Sequence, residues 1–281
     1  MEKRSADSLI HARWVIPVDG NRRCLENHCV AVRGGHIIDI LPSGEAEARY
    51  ASQKHHRLET HALIPGLINA HTHTSMSLFR GLADDLPLMT WLNEHIWPAE
   101  QRWVGEQFIS DGTRLAIAEM IRGGTTCFND MYFFPNITAS VARQEGMRAT
   151  VGLIVFDFPS AWGEGPDDYI NKGLDLHDRY RKDDLVSTAF APHAPYTTSD
   201  PALERIRTLA DELDIQIHMH VHETHDEIVG SLEQYGMRPL ERLQRLGLLG
   251  PQLMAVHMTQ LTDDEIALCG ESGLHMIHCV E

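Results

Sequence analysis

Long apolar runs are missing from this chain. No stretch of about 18 apolar residues occurs, so no membrane-spanning helix is expected. The start, Met1 to Ser8, is polar and lacks the apolar centre of a secretory leader. Cysteine is sparse and unpatterned. The five present, Cys24, Cys29, Cys127, Cys269 and Cys279, form no C-x-x-C pair. An odd, scattered set argues against a disulfide framework and for a reduced, cytoplasmic setting. Positive charge is also short, with 24 Lys and Arg against 40 Asp and Glu and a formal net charge of −16. Such a chain repels nucleic-acid backbones and anionic lipid, so neither is an expected partner. The densest basic cluster, Arg179 to Lys182, is followed at once by Asp183-Asp184 and reads as a solvated helix end. There are no internal repeats and no low-complexity tract.

What is present is enough apolar residue for a large core, 43% of 281 residues, and an unusual stock of 18 histidines. The organising stretch is Leu63-Ile64-Pro65-Gly66-Leu67-Ile68-Asn69-Ala70-His71-Thr72-His73. It reads as a buried strand that ends in two histidines. His71 and His73 are two apart, so in an extended chain they share a face, with Cα atoms roughly 7 Å apart. Neutral imidazoles at that spacing can converge on one metal ion.

Residues 1–62 look β-rich, with strands at Leu9–Ile16 and Cys29–Arg33 and a hairpin turn at Gly34-Gly35 leading into His36–Ile40. His28, His36, His55, His56 and His61 read as surface or packing residues. From residue 63 to 281 short apolar segments alternate with helical ones, the pattern of βα units and a parallel sheet. A long connection, roughly residues 74 to 99, has the length of a functional loop. A helix then shows Ile117, Met120 and Ile121 on one face and stops at Gly123-Gly124. Strands follow at Thr125–Met131, Arg148–Phe156, Leu185–Ala191, Ile215–Glu223, Leu253–His257 and Leu274–Val280. Asp200-Pro201 looks like a helix start. Thr224–Glu227 and Thr262–Glu265 look like capping boxes. The reading is α/β, a (β/α) barrel with seven of its eight strands, plus a small β-rich unit.

Chemistry collects at the carboxyl ends of these strands. His71 and His73 end the first, His193 the fourth, His220 and Glu223 the fifth, and His257 the sixth. In a barrel they converge at one mouth. Three histidines there would hold a metal, which activates water, and a neighbouring carboxylate would carry protons. Alternation along the fifth strand puts His218, His220 and His222 on one face. Spacing alone leaves open which of them binds metal; His218, lying deepest, reads as a core residue. His275 and His278 read as structural, and His95, His177 and His225 as solvent-facing.

Pro65–His73, the run Ser77–Leu88 with Trp91-Leu92 and Trp97–Glu100, Arg122–Tyr132, Pro192–Tyr196 and His220–Thr224 resemble the amidohydrolase superfamily. Within it they are similar to the 5-methylthioadenosine/S-adenosylhomocysteine deaminases. The likeness covers nearly the whole chain. It implies a metal-dependent (β/α)8 barrel, with residues 1–62 forming part of a small composite β-sandwich and residues 63–281 the catalytic barrel. It also implies a hydrolase that removes the 6-amino group of an adenine nucleoside, turning 5-methylthioadenosine into methylthioinosine or S-adenosylhomocysteine into S-inosylhomocysteine. One Zn2+, or another divalent transition metal, per subunit is implied, with His71, His73 and His220 as its histidines. Glu223 matches the glutamate that protonates the purine ring, His257 the histidine that contacts the attacking oxygen, Glu100 the acid that holds the ribose hydroxyls, and His193 a substrate-contacting histidine.

The family's fourth metal ligand, an aspartate after strand eight, has no counterpart, and Val280 stands where the family usually has proline. The resemblance therefore implies a barrel without its last βα unit, C-terminally truncated and inactive by itself. Two alternatives stand beside the deaminase: a ring hydrolase of the guanine or s-triazine type, against which the Trp91–Glu100 loop argues, and a non-catalytic metal-binding fragment. The expected partner is a small nucleoside, with room for a homo-oligomer.

Overall fold

The computed structural model describes residues 3–279. The sequence expectations for Met1-Glu2 and Val280-Glu281 lie outside the described residues. The chain divides into two compact units, Met1–Gly66 and Leu67–Glu281.

In the first unit, Ser8–Val15, Leu25–Arg33 and His36–Pro42 form an antiparallel meander. Lys54–Leu63 adds parallel to the free side of Ser8–Val15. The Gly34-Gly35 turn takes positive φ at both residues, 57° and 77°, the geometry of a tight hairpin turn that suits the twist of the flanking strands. A helix, Ser43–Arg49, covers one face of this sheet and buries Ala46 against Leu9, Cys29, Ala31 and Leu41. A short parallel ladder joins Arg4–Ser5 to Tyr50–Ala51. Neither Lys54–Leu63 nor the helix was expected from the sequence. Lys54-His55-His56-Arg57 has no alternation to read. Leu63 ends this strand, and Pro65-Gly66 separates it from the next unit.

Among the described residues the second unit is a seven-stranded parallel sheet whose strands lie in chain order. Strand one is Leu67–Thr72, strand two Thr125–Asp130, strand three Arg148–Val155 and strand four Val186–Pro192. Strand five is Ile217–Val221, strand six Leu253–His257 and strand seven His275–Ile277. Helices return the chain between them, as parallel pairing requires. Strands three to five are almost entirely buried, the mark of a sheet covered on both faces. The core under the helices gathers Phe128, Leu153, Tyr169, Phe190, Leu203, Ile206, Met219, Leu243 and Leu253.

The sheet is strongly curled. Strands one and five are four places apart in the order, a separation of about 19 Å in a flat sheet at ~4.8 Å per strand. Yet His71 of strand one and His218 of strand five approach to 3.0 Å. Only a barrel-like closure brings those side chains together.

Several expectations need correction. Strand one is not a buried strand: Leu67 is 53% and Ile68 70% exposed, because this strand ends the sheet order and pairs on one side only among the described residues. The helix Glu106–Arg122 turns Ile109, Gly112, Thr113, Ala116 and Ile117 inward and leaves Ile121 exposed. Gly112 is required at its place, since a Cβ there would meet the Ser75 backbone oxygen at 2.6 Å. Ser199, not Asp200, occupies the N-cap position of the helix after strand four, without a side-chain bond to it; the Asp200 carboxylate is taken by Arg242.

Candidate active site

Strands one, two, four, five and six of the second unit place polar groups at or just beyond their carboxyl ends. Strand one ends in His71, and His73 follows it. His73 Nδ1 donates to the Met131 carbonyl just beyond strand two. His220 Nδ1 donates to the His193 carbonyl at 2.9 Å. A carbonyl only accepts, so in both rings Nδ1 carries the proton and Nε2 keeps its lone pair. His220 Nε2 faces His71 Nε2 at 3.2 Å, and His71 Nδ1 rests 3.0 Å from His218 Nε2.

Ring nitrogens of His71, His220 and His257 all lie within 4.8 Å of one another. Among the ring nitrogens that converge, His257 stands where the sequence expects His73. His73 packs against both neighbours, with ring centroids 4.8 Å from His71 and 5.3 Å from His220, while its Nδ1 is held by the Met131 carbonyl. His218 sits behind His71, and His193 stacks edge-on against His220 at 4.9 Å. Burial, reinforced by the neighbouring rings, pushes the imidazole pKa values down: His193 and His218 to about 3 and His257 to about 4. His71, His73 and His220 are lowered chiefly by burial as well. All are therefore neutral near pH 7. Neutral nitrogens with converging lone pairs are the donor set of a divalent transition ion. The opposed Nε2 atoms of His71 and His220 fit a cation between them.

Carboxyls flank this cluster. Glu223 Oε1 lies 3.4 Å from His257 Nε2, and burial raises its pKa to about 7. Burial also raises Glu100 to about 7, against the lowering effect of the Tyr132 hydroxyl that donates to it at 2.5 Å. Asp130, at the end of strand two, accepts from the Thr74 backbone at 2.7 Å and is raised to about 6 by burial. It thereby fixes the turn that follows His73. These two partners, Asp130 and Tyr132, were not singled out from the sequence, although both stand in the Asn129–Tyr132 run that ends strand two.

Glu223 is aimed by a clasp. His222 takes φ +54°, a left-handed conformation unfavourable for a side chain with a Cβ. Glu227 accepts from the His222 amide at 3.0 Å through one oxygen and from the Glu223 amide at 2.7 Å through the other. The expected capping box at Thr224 is therefore half made: Thr224 accepts from the Glu227 amide, while the Glu227 carboxyl reaches past it to the strand end. Thr262 and Glu265 form the complete box. His222 itself turns into the core, its Nε2 accepting from the Leu240 amide at 3.1 Å.

A cavity of about 930 Å³ opens over these groups. Its wall is the segment that the sequence reads only as a long connection. That segment folds into a 3-10 turn, Thr74–Phe79, a π-helical turn, Trp91–Ile96, and a helix, Trp97–Trp103. It contributes Met76, Trp91, Trp97 and Glu100 to the lining, opposite Phe133, Phe156 and Tyr196. The cavity is apolar and aromatic with a polar floor, the usual character of a small-molecule site.

The fold and the site define a curled parallel barrel with a histidine cluster at its carboxyl mouth. The chain belongs to the amidohydrolase family, whose sequence model matches residues 62–281. It is 52% identical, over 99% of its length, to a 5-methylthioadenosine/S-adenosylhomocysteine deaminase of Saccharophagus degradans, of which it covers 63%. A deaminase of the same name from Teredinibacter turnerae is 47% identical, with 97% of this chain and 62% of that protein covered. The chain thus spans somewhat under two thirds of the curated relatives it matches. Among solved structures it is similar to a zinc-bound adenosine deaminase from Xanthomonas campestris, with TM-score 0.97, 52% identity, and coverage of 99% of this chain and 63% of that one. A zinc-bound atrazine chlorohydrolase from Arthrobacter aurescens has TM-score 0.87 at 20% identity, with 97% and 65% covered, a likeness of fold alone. No helix among the described residues is long and apolar enough to cross a membrane.

Proposed function

We propose that this chain carries the barrel of a metal-dependent deaminase of adenine nucleosides, with 5-methylthioadenosine or S-adenosylhomocysteine as substrate. The observation that carries the reading is the pairing of Glu223 with His257 at 3.4 Å beside the opposed His71 and His220 rings. The names of the relatives at 52% and 47% identity support the substrate class, and the zinc of the Xanthomonas neighbour supports the cofactor.

His71, His73 and His220 would hold one Zn2+ or similar ion, with His257 near enough to share its surroundings. When bound, such an ion supplies Lewis acidity that makes water reactive near neutral pH. Glu223, its pKa raised by burial to about 7, holds a proton far more readily than an ordinary carboxylate and is suited to protonate a purine ring nitrogen. That proton draws electrons from the amino-bearing carbon as water adds there, and ammonia leaves. His257 faces the Glu223 carboxyl and would contact the incoming oxygen. Glu100 spends one oxygen on Tyr132 and keeps the other for ribose hydroxyls. His193, fixed through Thr197 at 3.1 Å, would contact the base. Trp91, Trp97 and Phe156 supply flat surface for the ring. All five cysteines are free, which supports a reduced, cytoplasmic setting.

The test sets 5-methylthioadenosine and S-adenosylhomocysteine beside free adenine, guanine and an s-triazine. Turnover is followed by ultraviolet absorbance, and binding to the zinc-loaded protein by calorimetry. Preference for the adenine nucleosides in either measurement is expected. Preference for guanine or the triazine would replace this reading with the ring-hydrolase alternative.

A further inference from the structure

The first unit holds a second group of metal-ligating side chains that the barrel chemistry does not use. We propose that His11, Glu47 and His55 form a separate binding site for a divalent transition-metal ion of the zinc type. One ligand atom from each lies within 4.8 Å of the others.

Three elements build the site. His11 is on Ser8–Val15 and His55 on Lys54–Leu63, adjacent parallel strands in which Leu9 stands beside His55 and His11 beside Arg57. Side chains two apart share a face, so both imidazoles project on the Leu9 side of the sheet. Their rings stack at 6.0 Å with only 10° between planes. The helix Ser43–Arg49 covers that face and brings Glu47 over them.

The hydrogen bonds assign the lone pairs. His55 Nε2 lies 3.1 Å from the Ser52 carbonyl and so carries the proton. Its Nδ1 is then a bare lone pair, 3.8 Å from Glu47 Oε1. Two electron-rich atoms face each other across that gap, and a cation satisfies both. An N–H held by a backbone carbonyl is also how metal-binding histidines are usually oriented. His11 is 6% exposed, and neither of its ring nitrogens has a partner. Buried imidazole nitrogens are normally paired. Burial and the Arg57 charge favour its neutral form, which is the form that binds metal. A cavity of about 400 Å³ is lined by His11 together with Ser43 and Arg57.

Two imidazoles and one carboxylate, with room for water, make a zinc donor set; Ca2+ and Mg2+ call for oxygen cages instead. Arg57 opposes binding, since its guanidinium is paired to Glu47 Oε1. That is the same oxygen that faces His55 Nδ1, so an ion competes with Arg57 for Glu47, and the nearby positive charge weakens the site.

The test is a Zn2+ titration of the chelator-stripped full chain by calorimetry, with metal analysis after dialysis. Two equivalents are expected. Glu47→Gln and His55→Gln, both at exposed positions, should each weaken one equivalent by about tenfold or more and leave the other unchanged. Arg57→Gln should tighten that same equivalent several-fold. His71→Ala should remove the other one. The proposal is overturned if every bound Zn2+ is indifferent to Glu47 and His55. Should the only equivalent disappear in Glu47→Gln and persist in His71→Ala, this site stands and the barrel assignment fails.

Discussion

Removing the Glu227 carboxyl tests whether the turn that presents Glu223 is held by hydrogen bonding. Glu227 is 7% exposed, and its two oxygens accept the amides of His222 and Glu223 at 3.0 and 2.7 Å. Glu227→Ala deletes both acceptors. A buried donor left without a partner costs about 1–3 kcal/mol, and two are at stake. Part of the turn survives, because Thr259 still donates to the His222 and Glu223 carbonyls. The left-handed His222, φ +54°, adds strain of about 1–2 kcal/mol that the clasp holds in place. We therefore expect Glu227→Ala to lose about 2–4 kcal/mol of stability. Glu227→Gln keeps one acceptor and turns an NH2 toward the other amide, so about half that loss is expected. Urea unfolding of the metal-free protein, followed by circular dichroism, reads the midpoint at constant slope. Hydrogen exchange at the His222 and Glu223 amides should accelerate in the same order. A loss below about 0.5 kcal/mol for the alanine variant, the range of ordinary surface changes, would refute the argument.

Asp130→Asn should flatten the pH dependence of stability. Its folded pKa, about 6 against 3.8 for an ordinary aspartate, is raised, so its stabilising contribution is complete below about 3.8 and lost as pH rises through 6. That amounts to roughly 3 kcal/mol at ~1.36 kcal/mol per unit, and wild-type and variant profiles that stay parallel between pH 4 and 7 would contradict it. Glu223→Gln in an active deaminase should leave metal content unchanged and cut turnover by about 10²–10⁴-fold; loss of metal instead would make Glu223 a ligand rather than a proton donor. Glu100→Ala should weaken nucleosides far more than free bases, measured by the ratio of kcat/KM for the two; an unchanged ratio removes Glu100 from the ribose. Gly112→Ala should destabilise by about 1–3 kcal/mol, because its Cβ would lie 2.6 Å from the Ser75 oxygen; a neutral effect in urea unfolding would show that the Thr74–Phe79 turn can yield.

The parts of this molecule that the sequence discloses are those where burial imposes a period. Leu253–His257 and the Leu203–Ile206–Ala210 helix face follow directly from apolar spacing. The Lys54–Leu63 strand does not, because only Leu58 and Leu63 along it are even partly buried; its place is fixed by pairing with Ser8–Val15 and not by its own composition. The π-helical turn at Trp91–Ile96 is equally silent, since no side-chain period distinguishes it from a loop. His55 looks ordinary for a similar reason. Its significance depends on Ser52, Glu47 and a histidine 44 positions earlier, none of which its neighbours in the chain announce.

The histidine cluster lies between these cases. Each histidine is locally legible as the end of an apolar strand, yet no local pattern says which rings will meet. That depends on the curl of the sheet. His71 and His220 are 149 residues apart, and their Nε2 atoms stand at 3.2 Å only because four strand-to-strand steps bend through the barrel. The same curl carries His257 to 5.8 Å from His71 between ring centroids, one strand further on. Strand position along the chain therefore sets which residues are available, and sheet curvature sets which of them react together. A substitution that flattens the sheet should accordingly separate the rings of strands one, five and six while leaving every strand intact. Pairs held by chain neighbours or adjacent strands, such as His220 on the His193 carbonyl and Glu223 under Glu227, should survive it.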